Sequence, residues 1–256
     1  MIIDTHCHLN DEELYKDYKN VIKRAKEAGV EAFFVVGWDY ESSKLAVELA
    51  ENNDCVFAIV GYHPCNIDGV SDTEFEQTMS LLNHPKVVAL GEIGLDYYWV
   101  EDKEKREEQK RFFVRQIKEA NKYKKPISIH CRDATDDCLK ILQENHVDRG
   151  GVMHCYSGSV ESMNEFLKCG MYISLGGPAT FKNAKTPKEV AKQVPFDKLL
   201  VETDSPYLSP HPLRGTLNEP KNVALVVNEI ATLRNISVEE VIEQTKRNTS
   251  KLFFNK

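Results

Sequence analysis

The sequence predicts one α/β domain over residues 1–256, a (β/α)8 barrel of TIM type, on three observations. Eight short apolar runs are each followed by a segment of helical periodicity. Such alternation means a parallel sheet with right-handed crossovers. The length, 256 residues, is one at which a single barrel commonly closes. The runs also end repeatedly in His, Glu or Asp, where barrel enzymes carry their chemistry. A doubly wound open sheet shares the alternation, but no Gly-x-Gly-x-x-Gly follows the first strand.

The first strand is Met1 to Thr5, running into His6-Cys7-His8. Asn10 and Glu13 have capping-box spacing, and Leu14, Tyr18, Val21, Ile22 and Ala25 then follow a helical period stopped by Gly29. Ala32 to Val36 is a strand, Glu41 to Glu51 a helix, and Val56 to Val60 a strand ending in Gly61-Tyr62-His63-Pro64. A helix over Thr73 to Leu82 stops at His84-Pro85. Val87 to Leu90 is a strand leading to Gly91-Glu92. The polar helix Lys103 to Lys124 buries Phe112, Phe113, Ile117 and Ala120, and its mixed-charge start, Glu101 to Lys110, reads as a solvated face. Pro126 to Ile129 is a strand ending at His130, before a helix over Ala134 to Glu144. Gly151 to Met153 ends at His154, before a helix over Val160 to Leu167. Met171 to Leu175 precedes a helix over Pro187 to Val194, and Leu199 to Val201 runs into Glu202-Thr203-Asp204. Pro220 starts a helix, and Ser237 with Glu240 caps the last one.

Hydrophobic residues at 41% give ample core, and a formal net charge of −7 excludes a protein that coats duplex DNA through a broad basic face. A few basic side chains gripping one or two phosphates remain compatible. Seven cysteines without a C-x-x-C pair, no signal peptide and no membrane-length apolar run predict a cytoplasmic protein with free thiols.

In extended backbone His6 and His8 share a face and Cys7 turns away. Two imidazoles so placed can serve one cation. At the strand ends the chain collects His6, His8, His63, Glu92, His130, His154 and Asp204. Six of these, His63 excepted, are metal ligands by type and position. Six exceed the needs of one ion and predict two, bridged by Glu92. His6, His8 and Asp204 come from the first and last strands, neighbours in a closed barrel, and can share one ion. His130 and His154 come from adjacent strands and can share the other. Two such ions activate a water and clamp a phosphoryl or acyl oxygen, and Asp204 can accept the water's proton. Arg132 shares the face of His130, and Arg214 sits in the loop after the last strand; both are candidate phosphate contacts. His63 is a candidate substrate contact. Tyr97, Tyr98, Trp99 and Tyr156 are candidate base-stacking groups. Cys7, Cys131 and Cys155 each follow a histidine, and the period of two turns them into the layer under the helices.

Asp4-Thr5-His6-Cys7-His8, Gly91-Glu92-Ile93-Gly94-Leu95-Asp96, Ile129-His130-Cys131-Arg132, His154-Cys155-Tyr156-Ser157-Gly158 and Glu202-Thr203-Asp204-Ser205-Pro206 together resemble the signatures of the TatD family of metal-dependent deoxyribonucleases. The order of motifs holds to Asn218-Glu219-Pro220, and Tyr156 stands where the family often has phenylalanine. The resemblance implies the same two ligand groups, with Mg, Mn or Zn as the ions. It also implies hydrolysis of DNA phosphodiester bonds, often from strand ends. The alternatives are a small-molecule amidohydrolase or lactonase on the same barrel, and a non-catalytic binding protein. Glu92, where many such barrels bridge their metals with a carbamylated lysine, disfavours the first; the intact ligand set disfavours the second.

Overall fold

The computed structural model describes residues 1–255. Its strands are β1 (Ile2–Cys7), β2 (Val30–Val36), β3 (Val56–Val60), β4 (Val87–Asp96), β5 (Ile127–Arg132), β6 (Gly151–Met153), β7 (Met171–Leu175) and β8 (Leu199–Val201). The helices are α1 (Glu12–Tyr15), α2 (Tyr18–Glu27), α3 (Tyr40–Asn52), α4 (Asp72–Ser80) and α5 (Lys103–Tyr123). They continue with α6 (Thr135–Glu144), α7 (Val160–Lys168), α8 (Lys185–Gln193), α9 (Val223–Arg234) and α10 (Val238–Phe254). The strands lie in sequence order in one parallel sheet. This is a nearly closed (β/α)8 barrel.

Discrete hydrogen bonds join β8 to β1. Thr5 Oγ1 donates to Val201 O at 2.9 Å, and Asp204 N donates to His6 O at 2.9 Å. The buried Asp4 carboxylate accepts from Thr203 N at 2.9 Å and Thr203 Oγ1 at 2.6 Å. These bonds seat Asp204 beside His6.

Alternate residues of the strands fill two layers. Ile3, Phe34, Val36, Ile59, Val88, Val152, Tyr172 and Leu200 point into the barrel, while Phe33, Val35, Val60, Ile127 and Met153 meet the helices. Helix α10 plugs the barrel's lower end, with the Phe253 ring 4.8 Å from that of Phe34 and the Phe254 ring 5.0 Å from that of Phe57.

Two register shifts aim the chemistry. Unbroken alternation would place His6 on the face of Ile2, which packs under the helices. The β1–β2 register shifts between Asp4 and Cys7, so His6 turns inward and Cys7 packs outward. The β4–β5 register shifts between Leu90 and Ile93, both of which face the helices, and the extra residue admits Glu92 to the barrel mouth.

Several local expectations are corrected. Asn10 does not cap α1. Asp11 does, by accepting from Glu13 N, while Asn10 Nδ2 donates to Val36 O and Ser42 O and fixes the end of β2. The predicted single helix after β1 breaks into α1 and α2. Strands β4 and β5 continue six and three residues past their predicted ends, because each goes on pairing with the other through Asp96 and Arg132. The segment Glu101 to Lys110 is more than a solvated face. Arg106 donates to Val100 O and Tyr97 O, and buried Gln109 clamps Asp96 N and Pro64 O. The cap of α10 forms as predicted, with Ser237 and Glu240 reciprocally bonded. No helix among the described residues is long and apolar enough to cross a membrane.

Candidate metal centre

Glu92, buried at the end of the β4 bulge, divides the site between its two oxygens. Oε2 faces His6 Nε2 at 3.5 Å and His8 Nε2 at 3.9 Å. Oε1 faces His130 Nδ1 and His154 Nε2, each at 2.8 Å. Asp204 Oδ1 completes the first group, 3.7 Å from His6 Nε2 and 3.4 Å from His8 Nε2. These distances bring the six residues together, but the two sets are not separate: the His6 and His154 rings stack at 4.0 Å, and both lie within reach of Glu202.

The donor set fits divalent cations. His6 Nε2 and His8 Nε2 are 3.3 Å apart, and His130 Nδ1 and His154 Nε2 are 3.4 Å apart. Facing imidazole lone pairs repel unless a proton or cation lies between them. Ligand bonds of about 2.1 Å in a tetrahedral shell put donors roughly 3.4 Å apart, as these are. The far nitrogens are also set for ligation. His8 Nδ1 donates to Val36 O at 3.0 Å, His130 Nε2 to Asp96 Oδ2 at 2.8 Å and His154 Nδ1 to Glu202 Oε1 at 3.3 Å. Each bond fixes the tautomer whose lone pair faces the site. His6 Nδ1 is buried without a partner.

Electrostatics follow the geometry. Burial favours the neutral form of Glu92, but His154 and His130 hold its carboxyl well below the usual range. Burial opposes charge on His130, yet Asp96 and Glu92 push it up to about 9. Asp204, buried but bonded to His8, stays below the usual range and is ionised.

The site opens into a pocket of about 540 Å³ whose wall includes His63, Arg132, Trp38, Tyr207 and Leu208. His63 Nε2 lies 3.8 Å from Glu92 Oε1. His63 Nδ1 accepts from Cys65 N at 3.1 Å, so the neutral ring carries its proton on Nε2. Burial lowers this histidine to about 4, which keeps the ring neutral at the pocket, and His63, Glu92 and His130 lie close enough together to form one of the groups that could hold a cation. Arg132 stacks 3.8 Å over the Tyr98 ring at the rim, with exposed Trp99 beside it.

Other expected contacts lie elsewhere. Tyr156 is buried under α7, its hydroxyl donating to Ser159 O, because the left-handed turn at Cys155 swings it out of the strand pattern. Tyr97 is tied to Asp137 at 2.6 Å. Arg214 stacks on Phe181 at 4.1 Å and is not among the residues lining the pocket. Cys7 packs under the helices as expected. Cys155 does not: β6 has ended, the period of two lapses, and Cys155 lines the pocket. Cys131 also borders the pocket while packing against the layer under the helices.

Asp96 and Glu202 were missed as orienting groups. Both stand inside the quoted motifs, but nothing in residue type told them from structural carboxylates. Asp96→Ala is expected to weaken metal affinity about 10–100-fold by freeing the His130 ring, with Asp96→Asn intermediate because it keeps an acceptor. Metal titration of both variants checks this; wild-type affinity in Asp96→Ala would refute it.

The sequence matches the family model described as TatD related DNase over residues 3–254. It is 45% identical over 254 residues to the metal-dependent hydrolase YabD of Bacillus subtilis, covering 99% of both chains. It is 38% identical to YcfH of Escherichia coli, covering 98% of this chain and 95% of that one. The solved structure of YjjV, a TatD homologue of Escherichia coli, superposes with a TM-score of 0.94 at 32% identity, covering 99% of this chain and 98% of that one. With this coverage, and with an imidazole–carboxylate cluster at the mouth of the barrel, the chain belongs to the TatD family of metal-dependent hydrolases.

Proposed function

We propose that the chain, acting as one domain, is a two-metal phosphodiesterase that removes nucleotides from DNA strand ends. The observation that carries this reading is the division of Glu92, one oxygen toward His6 and His8 and the other toward His130 and His154. In it, His6, His8 and Asp204 would hold one ion and His130 and His154 the other, with Glu92 shared between the two groups. Mg, Mn or Zn bound there supplies Lewis acidity toward a phosphoryl oxygen and makes a water acidic enough to attack.

The chain's own groups do the rest. Asp204, ionised at the pocket, accepts the proton of the attacking water. His63 Nε2–H donates to a substrate oxygen across the pocket. The Arg132 guanidinium, braced on Tyr98, presents its fork to a phosphate. Trp38 and Tyr207 bound the pocket, and about 540 Å³ is room for a nucleotide at a chain end. We also place the protein in the cytoplasm, where seven unpaired thiols stay reduced.

The test is hydrolysis of end-labelled single-stranded DNA by metal-stripped protein with Mg²⁺, Mn²⁺ or Zn²⁺ restored, beside Asp204→Asn. A metal-dependent ladder that Asp204→Asn lacks is expected. No cleavage at confirmed metal content would overturn the nuclease and turn the search to esters, lactones and amides. Arg132→Ala is expected to raise KM about tenfold or more, the loss of one charge-assisted hydrogen bond, with kcat little changed. Unchanged kinetics would remove Arg132 from the phosphate site.

A further inference from the structure

At the end of the barrel opposite the metal centre, a cavity of about 700 Å³ opens where β6, β7 and β8 begin. Buried Leu142, Val147 and Leu252 form its apolar floor. Its rim is mostly basic. Arg149 comes from the α6–β6 loop, Lys198 from the turn before β8 and Lys251 from the last turn of α10. Lys168 is there too, but Glu165 engages it at 2.6 Å. Among the described residues no ion pair engages Arg149, Lys198 or Lys251, and Asp148 is the one carboxylate on the rim left to oppose them. His146 also lines the rim.

This arrangement concentrates positive charge. Lys198 lies 4.3 Å over the Tyr172 ring. Burial, and then repulsion from Lys251, lowers its ammonium below the usual lysine range, with neighbouring Asp197 offsetting part of the shift. Like charges gathered around a concave surface raise the local positive potential and attract an anion. Helix ends account for part of the pattern, since cations favour the last turns of α7 and α10. They do not account for Lys198 or Arg149, which lie outside those helices.

We propose that this cavity is a second ligand site, binding a compact phosphate ester on Arg149, Lys198 and Lys251. The volume falls within the roughly 300–1,000 Å³ of small-ligand sites. An arginine fork and two ammonium groups suit phosphate oxygens. The concave floor favours a small molecule over a polymer laid on a surface. A ligand here leaves the catalytic mouth open, and it bears on the segment that plugs the barrel, since Leu252 and Phe253 follow Lys251 directly.

The test is calorimetric titration of the metal-loaded, full-length protein with fructose 1,6-bisphosphate as the probe. Wild type is expected to show a saturable site in addition to phosphate bound at the metal centre. Lys198→Gln/Lys251→Gln is expected to bind at least tenfold more weakly while hydrolysing bis(p-nitrophenyl) phosphate at the wild-type rate. Arg132→Gln, altered at the catalytic mouth, is expected to keep the site. Should the double variant lose its fold, the single change at exposed Lys251 carries the test, with binding at least threefold weaker. No saturable binding to wild type overturns the proposal. So does wild-type affinity in the lysine variants, or loss of the site in Arg132→Gln.

Discussion

Glu92→Gln is expected to leave a folded barrel with turnover reduced about 10³-fold or more, the scale of the several kcal/mol a metal clamp supplies. The Glu92 carboxylate reaches all four histidines, one oxygen toward each pair. Glutamine keeps its shape and one acceptor oxygen, but its amide cannot bridge two cations. Folding does not depend on the bridge. The barrel is built on the interior stack around Phe34 and the layer under the helices, and Glu92 sits above both, at the mouth. Metal content, circular dichroism and kinetics on a phosphodiester distinguish the outcomes. A Glu92→Gln protein with two ions bound and activity within tenfold of wild type would refute the bridging role.

How much of this was legible in the sequence depended on the range of the interaction. Strands β3, β6, β7 and β8 have their predicted boundaries because short apolar runs between turn signals need no distant partner to define them. Strands β4 and β5 overran theirs because pairing with each other, a non-local effect, carried regular structure through polar Asp96 and Arg132. The grouping of six residues about Glu92 followed from strand order alone, since closing eight strands in sequence makes the first and last neighbours. Side-chain direction was less legible. His6 and His8 share a face as alternation requires, but the register shift in β1 decided that the face was inward. Tyr156 and Cys155 went astray for the same kind of reason: a left-handed residue after a three-residue strand ends the alternation on which both expectations rested. The orienting roles of Asp96 and Glu202 depend on which ring nitrogen each meets, which no pattern in one chain reveals.

Gly94→Ala is expected to destabilise the protein by about 2–5 kcal/mol, through strain at a left-handed backbone position together with overpacking. Gly94 pairs with His130 across the β4–β5 ladder at a φ of +138°. A Cβ there would lie 2.0 Å from the His130 carbonyl oxygen, a backbone atom that no side-chain rotation can move aside. Relief requires β4 and β5 to part at the pairing that holds His130 Nδ1 2.8 Å from Glu92 Oε1. Stability and metal affinity should therefore fall together. Gly29→Ala separates the two causes, since Gly29 has a φ of +90° but nothing within 4 Å of the added carbon. Backbone strain alone should cost that variant about 1 kcal/mol and leave the metal centre untouched. At roughly 2–4 °C per kcal/mol for a chain of this size, Tm should fall about 4–20 °C in Gly94→Ala and only a few degrees in Gly29→Ala. Equal shifts in the two would mean that backbone strain, not the contact with His130, makes Gly94 necessary. A wild-type Tm and metal affinity in Gly94→Ala would mean that β4 and β5 are not held as closely as the site geometry requires.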